Sequence, residues 1–237
     1  MTKSIVVTFG VWNAGRTKNK TIAESKRLFT VNFTRVHRRL RNGFGFFQEW
    51  DEADKADEHG ISAKIAGETH KWLRFPSAVP VMVPDEFKIL RKPRPNTLKM
   101  SDGIARWSPH RVLTKGLVAL RSDTACQFLV GSTHIMRKRK GEADKQRAKH
   151  INRLKRQFAQ AEAKDDALII GLDANDLHLP DLHPNAKVLY HRGLDYIIAL
   201  DSSTVKFKRV RKETVDTTID GHNLGVVEVE VEYEEAA

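Results

Sequence analysis

Several apolar runs of the sequence end in side chains that can bind a metal ion, hold a phosphate or transfer a proton. The set comprises Asn13, Glu49, His134, Asp173, Asn175 and, just before the last apolar run, His222. Strand ends and the loops that follow them are where a rigid scaffold presents functional groups. Carboxylate and amide oxygens suit hard divalent cations, and imidazole suits proton transfer. Each residue alone is equally typical of a turn or a cap, so the set, rather than any member, indicates a site.

Alternating strand and helix patterns indicate the elements that would position these residues. The apolar runs 4–12, 44–49 and 167–172 are typical of buried strands. Apolar residues recur at helical spacing over about 24–41 and about 142–164. The expected buried faces of these helices consist of Phe29, Phe33, Val36 and Leu40, and of Ile151, Leu154, Phe158 and Ala161. Because strands and helices alternate throughout, the pattern favours a mixed α/β architecture.

The remaining apolar segments predict further strands. They are two or three short strands within 72–92, a hairpin of 116–121 with 127–135, and later strands at 194–200, 205–210 and 225–233. The proline-containing stretch 93–100 predicts a long loop. No internal repeat with a period of 20–50 residues is present in the sequence.

Length and composition describe a folded chain and exclude several classes of protein. The 237 residues, of which 40% are hydrophobic and 30% charged, predict one domain over 1–237 with an acidic C-terminal tail at about 228–237. No apolar run approaches the ~20 residues that span a bilayer, and the N-terminus lacks the features of a signal peptide. The single Cys126 excludes an internal disulfide framework and a cysteine-based zinc cluster. We expect a cytoplasmic protein, encoded by a bacterium or a phage, and a monomer.

Six separated motifs follow one another in an order that resembles a known superfamily. The motifs are Trp12-Asn13, Gln48-Glu49, Ser132-Thr133-His134, Gly171-Leu172-Asp173-Ala174-Asn175, Leu194-Asp195-Tyr196 and Asp220-Gly221-His222. Together they resemble the endonuclease/exonuclease/phosphatase superfamily, which has the DNase I-like fold, over about residues 5–231. The resemblance implies an α/β (α+β) fold, a four-layered sandwich in which two mostly antiparallel sheets pack face to face with helices outside. It also implies hydrolysis of phosphoester bonds with Mg²⁺, for which Mn²⁺ could substitute.

The resemblance assigns roles to individual residues. Asn13, Glu49 and Asp220 would be metal ligands, and Asp173 would align or deprotonate the attacking water. The remaining site residues would contact the phosphate or support a residue that does, namely His134, Asn175, Asp195 and His222. In that arrangement Asp195 would orient His222, and His134 would contact the phosphate or protonate the leaving group. Arg111 matches the family loosely and is a candidate cationic contact to the phosphate.

One motif departs from the family pattern. The family usually has adjacent Ser-Asp-His before the last strand, whereas this chain has Asp220-Gly221-His222. Either Asp220 reaches the metal through a changed turn, which a glycine permits, or Gly221 occupies the place of the aspartate and a ligand is missing. The second arrangement would weaken metal binding.

The excess of basic residues favours a polyanionic partner. The chain has 41 Lys and Arg against 30 Asp and Glu, a formal net charge of +11. Basic clusters occur at 35–41, 137–140, 145–156 and 206–212, and the second follows the Thr133-His134 motif directly. We expect a nuclease that contacts nucleic acid, DNA before RNA, through backbone phosphates. Two alternatives stay open, a degenerate member that binds nucleic acid without cleaving it and a phosphatase of a small or lipid phosphoester.

Overall fold

A computed structural model describes residues 1–15, 21–49, 69–73, 79–91, 97–104, 111–217 and 223–235 of the chain. Its elements in chain order are β1 (Thr2–Asn13), α1 (Ile22–Arg39), β2 (Gly43–Gln48), β3 (His70–Leu73), β4 (Val81–Pro84), β5 (Phe87–Arg91), β6 (Thr97–Ser101), β7 (Arg111–Leu120), β8 (Gln127–His134), α2 (Glu142–Ala163), β9 (Leu168–Asp173), β10 (Ala186–Arg192), β11 (Asp195–Leu200), β12 (Val205–Val215) and β13 (Leu224–Glu234).

The described strands form two sheets. The order in the first sheet is β12-β13-β1-β2-β4-β3, and the order in the second is β10-β11-β9-β8-β7-β5, with β6 also paired to β7. The pairs β1–β2 and β8–β9 are parallel, and the other described pairs are antiparallel. The expected pair of mostly antiparallel sheets is therefore confirmed.

Alternating side chains bury the two sheets against each other. Phe9 of β1 and Phe44 and Phe46 of β2 point into a shared apolar core, where they meet Phe128 of β8 in the second sheet. At Gly171 the sheets approach so closely that a Cβ would lie 2.3 Å from the Phe46 Cβ. The glycine of the fourth motif thus lets the two sheets meet next to Asp173.

The helices cover the outer faces of the sheets and complete the four layers. Helix α1 begins with a capping box, in which Thr21 Oγ1 accepts a bond from Glu24 N and Glu24 Oε2 accepts one from Thr21 N. Its predicted face of Phe29, Phe33, Val36 and Leu40 is buried on the first sheet. Helix α2 packs Leu154, Phe158 and Ala161 on the second sheet. Ile151 is only partly buried, and the helix also buries Arg147 and His150, which its apolar pattern did not predict.

Two sequence-based expectations about the elements need correction. The expected loop at 93–100 contains the start of β6, because residues 97–101 pair with β7. Strand β10, whose exposed residues obscure its period, was not predicted. The strand expected at 225–233 is confirmed as β13, whose valines face the core and whose glutamates are partly exposed. None of the described helices is long and apolar enough to cross a membrane.

Candidate active site

The two parallel strand pairs bring four strand ends to one edge of the sandwich. In the first sheet Asn13 is in register with Gln48, and in the second His134 is in register with Asp173. The sheets are joined across this edge by a hydrogen bond of 2.8 Å from Asn13 Nδ2 to Asp173 Oδ2. Residues that are 160 positions apart in the sequence therefore share one buried site.

Hydrogen bonds hold the side chains of Asn13 and Asp173 in place. Both are about 1% exposed. Asn13 Oδ1 accepts a 2.8 Å bond from Gly15 N, and Asp173 Oδ1 accepts a 2.7 Å bond from Asn175 N. Each oxygen of the Asp173 carboxylate therefore accepts one N–H donor, and the two bonds fix its orientation. A buried, oriented carboxylate of this kind can align a water molecule.

Glu49 enters the site from a strained backbone turn. Strand β2 ends at Gln48, and Glu49 has a φ of 53°, in the left-handed region that non-glycine residues seldom adopt. The Glu49 side chain is 34% exposed, and its Oε1 atom lies 3.8 Å from His134 Nε2. Backbone strain of this kind costs on the order of 1–3 kcal/mol and is found at functional sites. The turn brings the Glu49 carboxylate beside His134.

His134 lies between an arginine and two carboxylates. Arg111 Nη1 is 3.1 Å from His134 Nδ1. A guanidinium can only donate, so Nδ1 accepts in this contact. His134 Nε2 lies 3.6 Å from Asp173 Oδ2 and 3.8 Å from Glu49 Oε1. Arg111 therefore belongs to the site, where it orients the imidazole.

Asn175 completes the arrangement from the loop after β9. Its φ of 49° is a left-handed conformation that asparagine tolerates. The Asn175 Nδ2 atom donates to Ile135 O at 2.8 Å and also contacts His134 Nε2. The amide is thus placed against both His134 and the backbone segment that follows it.

The structure brings Asn13, Glu49, Arg111, His134, Asp173 and Asn175 together. It also places Asp195 nearby, since Asp195 begins β11 directly opposite Asp173 and is 6% exposed. Asp220 and His222 lie outside the described residues. The pairing of Asp195 with His222, the place of Asp220 and the effect of Gly221 therefore stay predictions.

Buried polar residues behind the site were missed as functional candidates. Gln48 Nε2 donates to Ser132 Oγ at 3.1 Å, and Ser132 Oγ donates to Phe47 O at 2.9 Å, which ties the two sheets together. Thr133 Oγ1 donates to Val112 O at 2.7 Å and is 3.0 Å from His150 Nε2. In the sequence, Gln48, Ser132 and Thr133 were indicated only as neighbours of Glu49 and His134 within two of the motifs.

Asn13 and Glu49 present oxygen atoms that suit a hard divalent cation. A Cβ on Gly15 would lie 1.9 Å from Glu49 Oε2 and 2.9 Å from Asn13 Oδ1, so the glycine lets both oxygens approach the same point. Mg²⁺ keeps several waters and often uses only one or two carboxylates. Within the described ranges no group of three or more His, Cys, Asp or Glu could hold a metal ion. Asn13 and Glu49 would supply two oxygen ligands to such an ion.

The basic clusters of the sequence differ in their surroundings. The cations of β12 face glutamates of β13, as in the pairs Arg211 with Glu228 at 3.2 Å and Lys208 with Glu230 at 3.6 Å. Two of the five cations of cluster 206–212 are therefore paired with the acidic strand beside it. Residues 137–140, in contrast, are exposed and begin three positions after His134.

Comparisons with known proteins agree with this architecture. No protein-family model and no curated protein matches the sequence. Among solved structures, an endonuclease/exonuclease/phosphatase family protein from Bacteroides thetaiotaomicron is 11% identical, with a TM-score of 0.63, over 98% of this chain and 99% of that one. A mannosyl-6-phosphatase from the same organism is 12% identical, with a TM-score of 0.65, over 94% and 99%. A D. rerio TDP2 complexed with a single-strand DNA product is 11% identical, with a TM-score of 0.62, over 94% and 98%.

Proposed function

We propose that this chain, which has the endonuclease/exonuclease/phosphatase fold, is a metal-dependent phosphodiesterase that cleaves nucleic acid, DNA before RNA. One observation carries the proposal. Asn13, Glu49, His134, Asp173 and Asn175, predicted from four separate motifs, lie at one edge of the sandwich and are linked across the sheets by the Asn13–Asp173 hydrogen bond. The fold hosts phosphoester hydrolases, and the site residues supply the groups that such chemistry needs.

Each site residue has a role in hydrolysis that follows from its position. Asp173, held by Asn13 and the Asn175 backbone, aligns the attacking water and accepts its proton. His134 and the Asn175 amide contact the phosphate oxygens through hydrogen bonds. Arg111 holds His134 and adds positive charge beside the phosphate. Mg²⁺ bound by Asn13 and Glu49, with Mn²⁺ as a substitute, would polarise the phosphate and neutralise its charge.

The surface charge next to the site supports a polyanionic substrate. Arg137, Lys138 and Lys140 form no ion pair with any residue that the structure describes, and all three are exposed. Arg137 follows His134 by three residues, so their Cα atoms are at most about 11 Å apart. Backbone phosphates on either side of the scissile bond are spaced to reach such a segment. The TDP2 structure with a single-strand DNA product is consistent with this preference.

Cleavage assays on a panel of substrates test the proposal. Labelled single-stranded DNA, duplex DNA, RNA and a sugar phosphate are each incubated with the protein in Mg²⁺ or in chelator, beside Glu49→Gln and Asp173→Asn. We expect Mg²⁺-dependent DNA products from the wild type and a loss of about 10³-fold or more in the variants. Salt-sensitive binding without any product would instead identify a non-cleaving binder. Hydrolysis of the sugar phosphate alone would identify a phosphatase, the activity named for one of the similar structures.

A further inference from the structure

A buried arginine of α2 contacts both loops that carry the site residues. Arg147 Nη1 donates to Met136 O at 2.9 Å and to Ala174 O at 2.7 Å, and Arg147 Nη2 is 3.2 Å from Asp176 Oδ2. Its side chain is 7% exposed. The sequence placed Arg147 in the basic cluster 145–156 and so suggested a phosphate contact, whereas its guanidinium faces the interior.

The two carbonyl groups belong to residues that are close to the site residues in the sequence. Met136 lies two residues after His134, and Ala174 lies between Asp173 and Asn175. One planar guanidinium therefore joins the segment that leaves β8 to the segment that leaves β9. These segments also share the bond from Ile135 N to Asp173 O, of 2.9 Å.

Burial of this cation is costly, so its contacts must offset the loss of water. Desolvation lowers the pKa of Arg147, while Asp176, Asp144 and Asp173 act in the opposite direction. A guanidinium supplies five N–H donors in a fixed plane and can serve two carbonyls and a carboxylate at once. Lysine, a point charge on a flexible stem, cannot reproduce that fork.

From these contacts we infer that Arg147 is a positioning residue, which sets the separation of His134 from Asp173 and Asn175 by fixing the backbone on both sides. The inference rests on the proposed function for its catalytic consequence, but its structural half can be tested without any activity. Without the guanidinium, the Met136 and Ala174 carbonyls lose their buried donor and the two loops separate. A misplacement of about 1 Å in such a site costs about 100-fold in rate.

The test compares Arg147→Met and Arg147→Lys with a matched control, Arg121→Met. Arg121 also donates to a backbone carbonyl, that of Asp85, but it follows Leu120 at the opposite end of β7 from Arg111. Two quantities are measured for each protein. One is amide hydrogen exchange at Ile135, Ala174 and Asn175, and the other is kcat and KM for single-stranded DNA with Mg²⁺, normalised to the folded fraction.

We expect Arg147→Met to raise exchange at these loop amides about 10-fold or more, with the central amides of β8 and β9 unchanged. Its kcat should fall by about 10- to 100-fold while KM changes by less than about 3-fold, and Arg147→Lys should recover part of the loss. Should Arg147→Met fail to fold, the same local exchange in Arg147→Lys supports the inference. Loop exchange equal to that of Arg121→Met overturns it, and so does faster exchange spread evenly over all strands. If the loop amides respond but no protein cleaves DNA, the inference stands and the proposed function fails.

Discussion

Replacing Gly15 with alanine perturbs the candidate metal site while leaving its ligands in the chain. The added Cβ would lie 1.9 Å from Glu49 Oε2 and 2.9 Å from Asn13 Oδ1. Asn13 is buried and held by Asp173, whereas the Glu49 side chain is 34% exposed, so its carboxylate can rotate away from the methyl group. The Glu49 side chain therefore moves, and the Asn13 side chain stays in place.

The size of the effect follows from the distance that Glu49 must move. Ordinary contact with a Cβ begins at 3.4 Å, so Oε2 must retreat by about 1.5 Å. A displacement of this order costs about 100-fold in kcat/KM. The backbone of Gly15 is not in the left-handed region, so alanine is tolerated and the free energy of unfolding should change by less than about 1 kcal/mol.

A double-mutant cycle measures whether Gly15→Ala acts through Glu49. Mg²⁺-dependent cleavage of single-stranded DNA is compared in the wild type, Gly15→Ala, Glu49→Ala and the double variant, beside urea unfolding of each. We expect Gly15→Ala to lose about 100-fold in the wild type and almost nothing more in the Glu49→Ala background, because neighbouring residues are not additive. An equal loss in both backgrounds, or a loss explained by unfolding, would refute the reasoning.

Two further variants test the scaffold around the site. Gly171→Ala places a Cβ 2.3 Å from the Phe46 Cβ, which cannot move away without its backbone. Urea unfolding should therefore show a decrease of about 3 kcal/mol in the free energy of unfolding. An unchanged urea midpoint would contradict this close approach of the two sheets. In His150, burial and the charges of Arg111, Arg147 and Arg153 lower the pKa to about 3, so the folded protein does not take up the proton that the unfolded chain binds below pH 6.5. The free energy of unfolding therefore decreases as the pH falls from 6.5 towards 3. Between pH 6.5 and pH 5 the wild type should lose about 2 kcal/mol more than His150→Gln, a variant that retains a donor for Thr133. Equal losses of the two proteins in urea titrations at these pH values would contradict this assignment.

The sequence predicted those parts of the fold whose side chains repeat with a clear period. The face of α1 from Phe29 to Leu40 recurs at helical spacing because the helix packs on one sheet, and the structure buries that whole face. Strand β10 was not predicted from the sequence because Lys187, Val188 and Arg192 are exposed, and the strand lacks a regular alternation of buried and exposed residues. Tertiary pairing rather than local preference determines such strands.

The candidate site was predictable as a set of residues but not as a geometry. The order of the motifs identified Asn13, Glu49, His134 and Asp173, and the parallel pairing of β1 with β2 and of β8 with β9 explains why they meet. The bond of Arg111 to His134 and the inward direction of Arg147 could not be predicted, since a basic residue in a charged segment usually faces water. Similarly, the alternation of valine and glutamate in β13 indicated a half-exposed strand, but not that those glutamates would lie beside the cations of β12.

The central claim is that the strand ends of both sheets form one metal-dependent hydrolytic site. The most direct test is the initial rate of cleavage of a labelled single-stranded DNA by the purified protein, with Mg²⁺ and with chelator, beside folded Asp173→Asn. We predict cleavage by the wild type that stops in chelator and falls by about 10³-fold or more in the variant. Cleavage that is equal in the wild type and in Asp173→Asn, or absent from the folded wild type with Mg²⁺, would contradict the claim.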